Sequence, residues 1–598
     1  MRNGFRNVRP LALLASVVLL AFAGFRAEAA PAPKGGFAEH RAGEFVVKFK
    51  SGIQAKGLVR SFGTLSTRVT SFKTDDRFAK VIVRTKMTTK EALRQLESSA
   101  DVEYAEPNYI YRTNVEPPSR GVAKDDWWGG NPGWGGSPGW GNNPVWGDPG
   151  SDWNNGGGRT PNDSDFGNLW GMLNTGQSDS SGQAGTTGVD IGATAAWGVG
   201  TGSREIIVAV IDTGIDLTHE DLAANAYTNH GEVAGNGVDD DGNGFIDDVQ
   251  GWNFEANTNN AMDDNRHGTH CSGTIGGVGD NGKGVAGVSW QVSLMPIKFL
   301  SAQGSGSLTA AVESIKYATK MHANVMSNSW GGGGYSKAME DAIKEARDAG
   351  ILFVAAAGNE SNNNDARPTY PAGYQVENVL AVAAIDNKDA LASFSNYGAR
   401  LVHIGAPGVR IWSSVPGNSY ESLSGTSMAC PHVAGASALL WSLNRGMSYA
   451  DIKARLIATA EPTRALQRKT VAGGRLNIAN AIANRTPTRP GPSDSEWVAM
   501  SSDVQSEHNY ADNAVQSYEV SVPGARYIRV HFSRVQVEEG YDFIKLVDST
   551  GSEVESLTGE MEDYTSVYGD GERLQIQLHS DSSNPAWGFA VDRVEYVM

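Results

Sequence analysis

The sequence predicts an α/β fold in which a parallel sheet is covered by helices on both faces. Apolar strand-like runs, such as residues 206–212 and 351–359, alternate with amphipathic helical segments. These runs are almost continuously apolar, which is typical of parallel strands buried on both faces. A small α/β module precedes this central domain. Short strand-like segments separated by turns follow it and predict a C-terminal all-β sandwich.

The first 30 residues have the pattern of a secretory signal peptide. Three arginines within the first nine residues precede an apolar run over residues 11–24 and the small-residue motif Ala27-Glu28-Ala29. The alternative is a membrane anchor, but this run is shorter than the ~20 apolar residues that a bilayer span requires. We therefore expect a Sec-type signal peptide over residues 1–30, secretion from the cell and no stable membrane anchor.

Length and composition restrict the class of protein. A chain of 598 residues is too long for one core, which indicates several modules. A formal net charge of -17 argues against a nucleic-acid partner, because phosphates favour lysine and arginine. The two cysteines, Cys271 and Cys430, cannot form a disulfide-rich scaffold. They are either a redox switch or two small buried packing residues, and we favour packing.

Residues 31–113 form the predicted small α/β module. Residues 44–50 and 80–85 alternate like half-buried strands, and residues 87–99 contain helix formers after a threonine. Residues 114–160 are rich in Trp, Gly and Pro, and three copies of a six-residue motif occur there. This composition predicts a flexible linker. Exposed tryptophans that stack on sugars or on another surface are the alternative interpretation.

Three short motifs in the central domain carry the chemistry. Asp212 lies in IDTGID, His267 in HGTHCSGT and Ser427 in GTSMACPH. A serine hydroxyl is a weak nucleophile that needs an imidazole to take its proton and a carboxylate to orient that imidazole. The chain order Asp, His, Ser is that of subtilisin and differs from the orders of chymotrypsin and the α/β-hydrolases.

On these motifs the chain resembles the subtilisin-like serine proteases of family S8 over residues 161–484. The resemblance implies that Asp212 is the acid, rather than nearby Asp216, and that the base is His267. It also implies that Asn359, in AAAGNE, donates to the oxyanion of the tetrahedral intermediate. We therefore expect a serine endopeptidase that cleaves peptide bonds through an acyl-enzyme intermediate.

The resemblance extends to the substrate cleft and to a prosegment. Two segments match the edge strands that pair with an extended peptide: Gly304, Ser305 and Gly306 in one, and Ser329, Trp330 and Gly331 in the other. The end of the N-terminal module, VEYAEPNYIYR, resembles the tail of an inhibitory prosegment, and an ordinary N-terminal domain is the alternative. The expected partners are protein and peptide substrates and the chain's own prosegment, in a self-processing, monomeric precursor.

An acidic loop predicts a structural calcium site. The segment DDDGNGFIDD, residues 239–248, resembles the first half of an EF-hand loop, although position 12 is Gln250 instead of Glu. A solvated acidic loop without a cation is the alternative. The expected ligands are the oxygen-bearing side chains of the segment around the glycine turn: Asp239, Asp241, Asn243, Asp247 and Asp248.

The C-terminal 105 residues follow a Pro-rich linker at residues 485–493. Residues 494–598 contain YDFIKLVD and HSDSSNPAWGF, which resemble a CUB-type domain without its common disulfides. The resemblance implies that Glu538, Asp542 and Asp581 are candidates for a second calcium site.

Two other functions are compatible with parts of the sequence. A catalytically silent subtilase scaffold could act as an adhesive surface protein, but such a scaffold has no need of all four catalytic candidates. An esterase could use the same three groups, but the chain order and the peptide-pairing segments disfavour it. A secreted serine endopeptidase is therefore the preferred hypothesis.

Overall fold

The computed structural model describes residues 38–53, 66–83, 87–115, 158–488, 491–492, 494–538, 541–551 and 553–598. The predicted signal peptide and most of the Trp/Gly/Pro-rich linker lie outside these residues. Within the described ranges, no helix has both the length and the apolarity needed to cross a membrane.

In its described residues, the N-terminal module is an antiparallel sheet with one helix packed on it. Its elements are β1 (His40–Phe49), β2 (Ser66–Ser71), β3 (Phe78–Val83), α1 (Thr89–Glu97) and β4 (Val102–Thr113), and the strand order is β2-β3-β1-β4. Alternate side chains of strand β1 point into two different cores. Phe45 and Val47 join the core of the module, whereas Val46 joins the core of the central domain.

The central domain contains seven α-helices and all the parallel strands of the described residues. In chain order its elements are α2 (Ala193–Trp197), β5 (Gly202–Asp212), β6 (Trp252–Asn253), α3 (His267–Gly276), β7 (Gln291–Lys298), β8 (Ser305–Ser307), α4 (Leu308–Lys320), β9 (Val325–Asn328), β10 (Trp330–Gly332), α5 (Lys337–Asp348), β11 (Leu352–Ala356), β12 (Val379–Ile385), β13 (Ile404–Pro407), β14 (Ile411–Val415), β15 (Ser419–Leu423), α6 (Thr426–Leu443), α7 (Tyr449–Ala458), β16 (Glu461–Pro462), β17 (Gly474–Arg475) and α8 (Ile478–Ala483).

The predicted parallel sheet with helices on both faces is confirmed. Nine strands are ordered β16-β17-β13-β12-β11-β9-β5-β7-β6, and only the edge strand β16 is antiparallel to its neighbour. Alternate residues of β5 enter different cores. Val208 and Val210 belong to the core that includes residues of α6, whereas Ala209 and Ile211 belong to the core that includes residues of α4 and α5. Because both faces are covered, the strands read as continuous apolar runs.

The C-terminal domain is a sandwich of two antiparallel sheets. Its strands are β18 (Val498–Ser501), β19 (Val515–Ser521), β20 (Tyr527–Gln536), β21 (Phe543–Asp548), β22 (Glu553–Leu557), β23 (Glu560–Thr565), β24 (Gly569–Asp570), β25 (Arg573–His579) and β26 (Gly588–Val597). One sheet has the order β18-β26-β20-β23, with β24 also on β20, and the other has the order β19-β25-β21-β22. Inward residues of both sheets, such as Val530 and Ile544, form one core.

Candidate active site

The carboxylate and the imidazole that the motifs single out are in direct contact. Asp212 is the last residue of β5, and His267 is the first residue of α3. Nδ1 of His267 lies 2.7 Å from Oδ1 of Asp212, and both side chains are buried. Among the described residues, Nε2 of His267 has no hydrogen-bond partner. This arrangement orients the imidazole and leaves Nε2 available for proton transfer.

A glycine allows the helix of His267 to approach the end of β5. A Cβ on Gly268 would lie 2.0 Å from the carbonyl oxygen of Gly214. The Gly268 amide donates a hydrogen bond of 2.9 Å to the hydroxyl of Thr213, the residue after the acid. The glycine that follows His267 is therefore required for the contact between the two motifs.

Ser427 lies in the first turn of α6 and belongs to the same site. Cys271, one helical turn after His267, approaches the Ser427 carbonyl oxygen with its Sγ at 3.5 Å. The Ser427 hydroxyl donates to the carbonyl oxygen of Ser329 at 2.7 Å and accepts from the Asn114 amide at 3.1 Å. The hydroxyl is therefore engaged by the edge of the cleft and by the N-terminal module instead of by His267.

Asn359 presents an amide nitrogen at the start of α6. Its Oδ1 accepts hydrogen bonds from the amide and the hydroxyl of Thr426, at 3.0 and 2.8 Å. These two donors fix which end of the carboxamide is oxygen. The Nδ2 group is buried and has no hydrogen-bond partner in the described part of the chain. An oriented, unpaired donor of this kind can stabilise a developing negative charge.

The tail of the N-terminal module occupies the cleft as a third strand. β4 pairs antiparallel with β8, where Tyr111 faces Gly306, and with β10, where Tyr111 faces Gly332. The Thr113 amide continues the ladder with a bond of 3.0 Å to the Gly304 carbonyl oxygen. The six residues predicted to line the cleft all lie along this strand: Gly304, Ser305, Gly306, Ser329, Trp330 and Gly331.

The backbone of Asn114 lies at the centre of the site. Its carbonyl oxygen is 2.3 Å from the position that a Cβ on Gly425 would take, and Nδ2 of Asn359 is 3.3 Å from the same position. A side chain at position 425 would collide with the bound chain, so this glycine keeps the cleft open. The Asn114 amide therefore contacts the Ser427 hydroxyl, and its carbonyl oxygen lies on the same side of Gly425 as Nδ2 of Asn359.

The acidic loop brings together three carboxylates. Oxygens of Glu232, Asp239 and Asp241 all lie within 4.8 Å of one another. Glu232 also accepts hydrogen bonds from the amides of Asp240 and Asp241, at 2.9 and 3.2 Å, which hold it against the loop. Three converging carboxylates repel one another without a cation, and hard oxygen donors suit Ca²⁺.

The other three predicted ligands of this loop have different partners. Asp248 is buried and accepts the Tyr317 hydroxyl at 2.5 Å. Asp247 accepts the amides of residues 236 and 237, at 3.1 and 3.0 Å. Asn243 donates from Nδ2 to Asp248 at 2.9 Å, and Lys320 donates to the Asn243 carbonyl oxygen. These interactions shape the loop around the group of three carboxylates.

A second group of acidic side chains lies in the C-terminal domain. Oxygens of Glu538, Asp542 and Asp581 lie within 4.8 Å of one another. The Asp581 amide donates to Asp542 at 2.8 Å, which joins the two loops. The donor set is again composed of hard carboxylate oxygens.

Both cysteines are buried and carry free thiols. Burial raises the pKa of the Cys430 thiol to about 11, and it raises that of Cys271 well above its usual value. The thiols are therefore protonated at neutral pH, which agrees with the packing interpretation.

Comparisons with known proteins agree with this geometry. The subtilase family model matches residues 203–486, and the fervidolysin N-terminal prodomain model matches residues 26–108. Thermitase of Thermoactinomyces vulgaris is 39% identical over 266 residues, which cover 44% of this chain and 84% of thermitase. Subtilisin DY of Bacillus licheniformis is 40% identical over 254 residues, 42% of this chain and 82% of that protein.

The chain therefore belongs to the subtilase family. It is a subtilisin-like serine endopeptidase that carries an N-terminal prodomain. Neither family match reaches the C-terminal domain, so its likeness to CUB-type domains stays a prediction.

Three residues of the site were missed by the sequence reasoning. Asn114 falls in the predicted linker, residues 114–160, because that segment is rich in Trp, Gly and Pro. Thr426 orients Asn359 through a hydrogen bond. Its position next to Ser427 in the GTSMACPH motif is the one sequence feature that indicates a role in the site. Glu232 joins Asp239 and Asp241 only through the path of the loop, which no local pattern reveals.

Proposed function

We propose that this endopeptidase uses Asp212, His267 and Ser427 as its catalytic triad and that it is exported as a self-processing precursor. The contact of 2.7 Å between Nδ1 of His267 and the Asp212 carboxylate supports the triad most directly. The hydrogen bond of 3.1 Å from the Asn114 amide to the Ser427 hydroxyl supports self-processing.

In the proposed reaction, the Ser427 hydroxyl turns from the Ser329 carbonyl towards Nε2 of His267. Its oxygen attacks the substrate carbonyl carbon while Nε2 takes the proton, and Asp212 stabilises the imidazolium. The oxyanion of the tetrahedral intermediate accepts hydrogen bonds from Nδ2 of Asn359 and from the Ser427 amide at the start of α6. His267 then gives the proton to the leaving amine, and the C–N bond breaks.

The remaining acyl group is an ester of Ser427. Water loses a proton to His267 and attacks this ester through a second tetrahedral intermediate. The proton returns to the Ser427 oxygen as the acid product leaves. Backbone pairing with β8 and β10 holds the substrate during both steps and tolerates many side chains.

The proposed self-cleavage breaks the bond between Asn114 and Val115. The ladder of β4 ends at this point, and Asn114 is the residue whose amide contacts the nucleophile. The prosegment would then end at Asn114, within the interval from Arg112 to Pro161 that the sequence predicts for the cut.

N-terminal sequencing of the full-length chain after expression tests this function. The wild type is expected to yield a catalytic chain that begins at Val115, or at later linker residues after trimming. Ser427→Ala is expected to stay intact and to hydrolyse no peptide. Cleavage at Val115 in the alanine variant would assign the cut to another protease, and peptide hydrolysis by that variant would reject the triad.

Export and calcium binding complete the proposal. The arginine-rich start and the apolar run support a signal peptide, and N-terminal analysis of the cell-free medium tests it. Glu232, Asp239 and Asp241 would hold a structural calcium ion in the acidic loop, where it contributes stability instead of chemistry. Glu538, Asp542 and Asp581 would hold a second ion in the C-terminal domain.

A further inference from the structure

A buried carboxylate outside the predicted triad lies between the segments of Asp212 and His267. Asp263 is only 4% exposed. It accepts five hydrogen bonds. Oδ1 accepts from the Thr213 hydroxyl and from the amides of Asn265 and Arg266. Oδ2 accepts from the amide and the hydroxyl of Thr269. All five distances lie between 2.7 and 3.0 Å.

We propose that Asp263 is a positioning residue that sets the placement of His267 relative to Asp212. The inference rests on the proposed roles of those two residues as base and acid. Asp263 itself touches no reacting atom. It acts through the two segments that its oxygens join.

On the side of the base, Asp263 caps the helix that begins at His267. Residue 266 makes no side-chain cap at the N terminus of α3. Oδ2 of Asp263 instead accepts the Thr269 amide at 2.9 Å, in the first turn. A carboxylate at this end satisfies otherwise unpaired amides and complements the helix dipole. The first turn, and with it His267, is therefore anchored to a carboxylate four residues upstream.

On the side of the acid, Asp263 acts through the Thr213 hydroxyl. That hydroxyl donates to Asp263 at 2.8 Å and accepts from the Gly268 amide at 2.9 Å. The Thr213 amide donates to Oδ1 of Asp212 at 2.7 Å. One threonine thus connects the catalytic carboxylate, the helix of the base and Asp263. A displacement of about 1 Å between catalytic groups can lower a rate by about 10²-fold.

The first test compares two buried carboxylates of the same region in the full-length, self-processed enzyme. Asp263→Asn places an amide NH₂ where donors converge, and we expect kcat on a short peptide to fall by about 10- to 100-fold with KM within threefold. Asp216→Asn is the matched control. Asp216 is 5% exposed and accepts hydrogen bonds from Thr218 and Gly417, so we expect its kcat to stay within twofold.

The second test separates positioning from general stability and remains useful if Asp263→Asn does not fold. Thr213→Val removes the bridging hydroxyl, whereas Thr213→Ser keeps it. We expect kcat of the serine variant to exceed that of the valine variant at least tenfold. In the double variant Asp263→Asn/Thr213→Val, we expect the loss in kcat to be smaller than the product of the two single losses. Both substitutions disrupt the same hydrogen bond, between the Thr213 hydroxyl and Asp263.

Equal kcat for the serine and valine variants would overturn the proposal. A loss in Asp263→Asn no larger than that in Asp216→Asn would also overturn it. Failure of the underlying triad gives a different result, since Ser427→Ala would then hydrolyse the same peptide.

Discussion

At the scale of single residues, the orientation of one carboxamide determines what the cleft can stabilise. Thr426 donates twice to Oδ1 of Asn359, at 3.0 and 2.8 Å, so the NH₂ group is the end left free for the proposed oxyanion. A flipped carboxamide would present an acceptor to the oxyanion. Thr426 and Asn359 therefore act together.

We predict that Asn359→Ala lowers kcat by about 10²–10³ with little change in KM, because the lost hydrogen bond forms mainly in the transition state. The magnitude comes from subtilisin, a member of the same family. Steady-state kinetics on a peptide ester and a peptide amide measure the loss. Asn387→Ala is the control, since that buried asparagine donates to the Gln183 carbonyl oxygen. A fall in kcat of less than threefold in Asn359→Ala would remove Asn359 from the oxyanion site.

At the scale of secondary-structure elements, β4 attaches the prosegment to the helices of the catalytic domain as well as to the cleft. The Glu106 carboxylate accepts the Ser336 hydroxyl at 2.9 Å and the amides of Lys337 and Ala338 at 3.0 and 2.8 Å, at the start of α5. Asn108 accepts the Thr309 amide at 3.0 Å, in the first turn of α4. The prosegment thus accepts hydrogen bonds from first-turn amides of α4 and α5, in addition to those that their own N-cap residues Ser307 and Ser336 accept.

We predict that Glu106→Ala weakens inhibition by a separate prosegment, residues 31–114, by about 10- to 100-fold, since hydrogen bonds to a charged group are each worth about 1.5–3 kcal/mol. Burial raises the pKa of Glu106 to about 7, so inhibition constants are measured at pH 8.5, where the carboxylate is ionised. The exposed Glu97 of α1 provides the control variant Glu97→Ala. Equal inhibition constants for the two variants would contradict the capping role.

A buried carboxylate of the C-terminal sandwich, Glu555, lies within electrostatic reach of charged groups of the catalytic domain. Glu555 of β22 is 9% exposed and accepts the Val567 amide at 3.0 Å and the Tyr564 hydroxyl. Burial raises its pKa to about 7 from the ordinary 4.5, and the nearby Asp365 carboxylate acts in the same direction, against the Arg400 guanidinium. The folded state therefore binds the proton of Glu555 more tightly than the unfolded state.

This contribution to stability is present in full below about pH 4.5 and is lost as the pH rises through about 7. We predict that the calorimetric transition of the C-terminal domain moves to lower temperature between pH 5.5 and 8. Glu555→Gln is expected to reduce that change, whereas the exposed neighbour variant Glu553→Gln keeps it. An unchanged pH dependence in Glu555→Gln would assign the effect to other groups.

At the scale of the whole molecule, the acidic loop is expected to link stability to calcium. A ligand that binds only the folded state stabilises it by about 2.7 kcal/mol at a hundredfold excess over Kd. We predict that Ca²⁺ raises Tm and slows self-digestion, and that Asp241→Ala removes most of both effects. Asp240→Ala is the control, because Asp240 lies beside the group of three carboxylates without belonging to it. A calcium-induced Tm shift in Asp241→Ala equal to that of the wild type would refute the site.

Sequence alone predicted the parts of the molecule that depend on contiguous patterns. The buried strands β11 and β12 read as apolar runs because helices cover both of their faces. Asp212 and His267 lie in short motifs, so they could be chosen residue by residue. Glu232 could not, because its approach to Asp241 depends on the path of the loop between them. The hydrogen bond from Ser427 to the Ser329 carbonyl could not be predicted either, because it joins residues 98 positions apart in the chain.

The strand β4 belongs to two sheets at once, since its first half pairs with β1 and its last residues pair with β8 and β10. Cutting the chain after Asn114 would break one covalent bond and none of these backbone ladders. Cleavage and activation would then be separate events with separate rates. The rate of cleavage would depend on the chemistry of Ser427. The rate of activation would depend on the dissociation of β4 from β8 and β10. The enzyme would therefore remain inactive for as long as the cleaved prosegment stays bound.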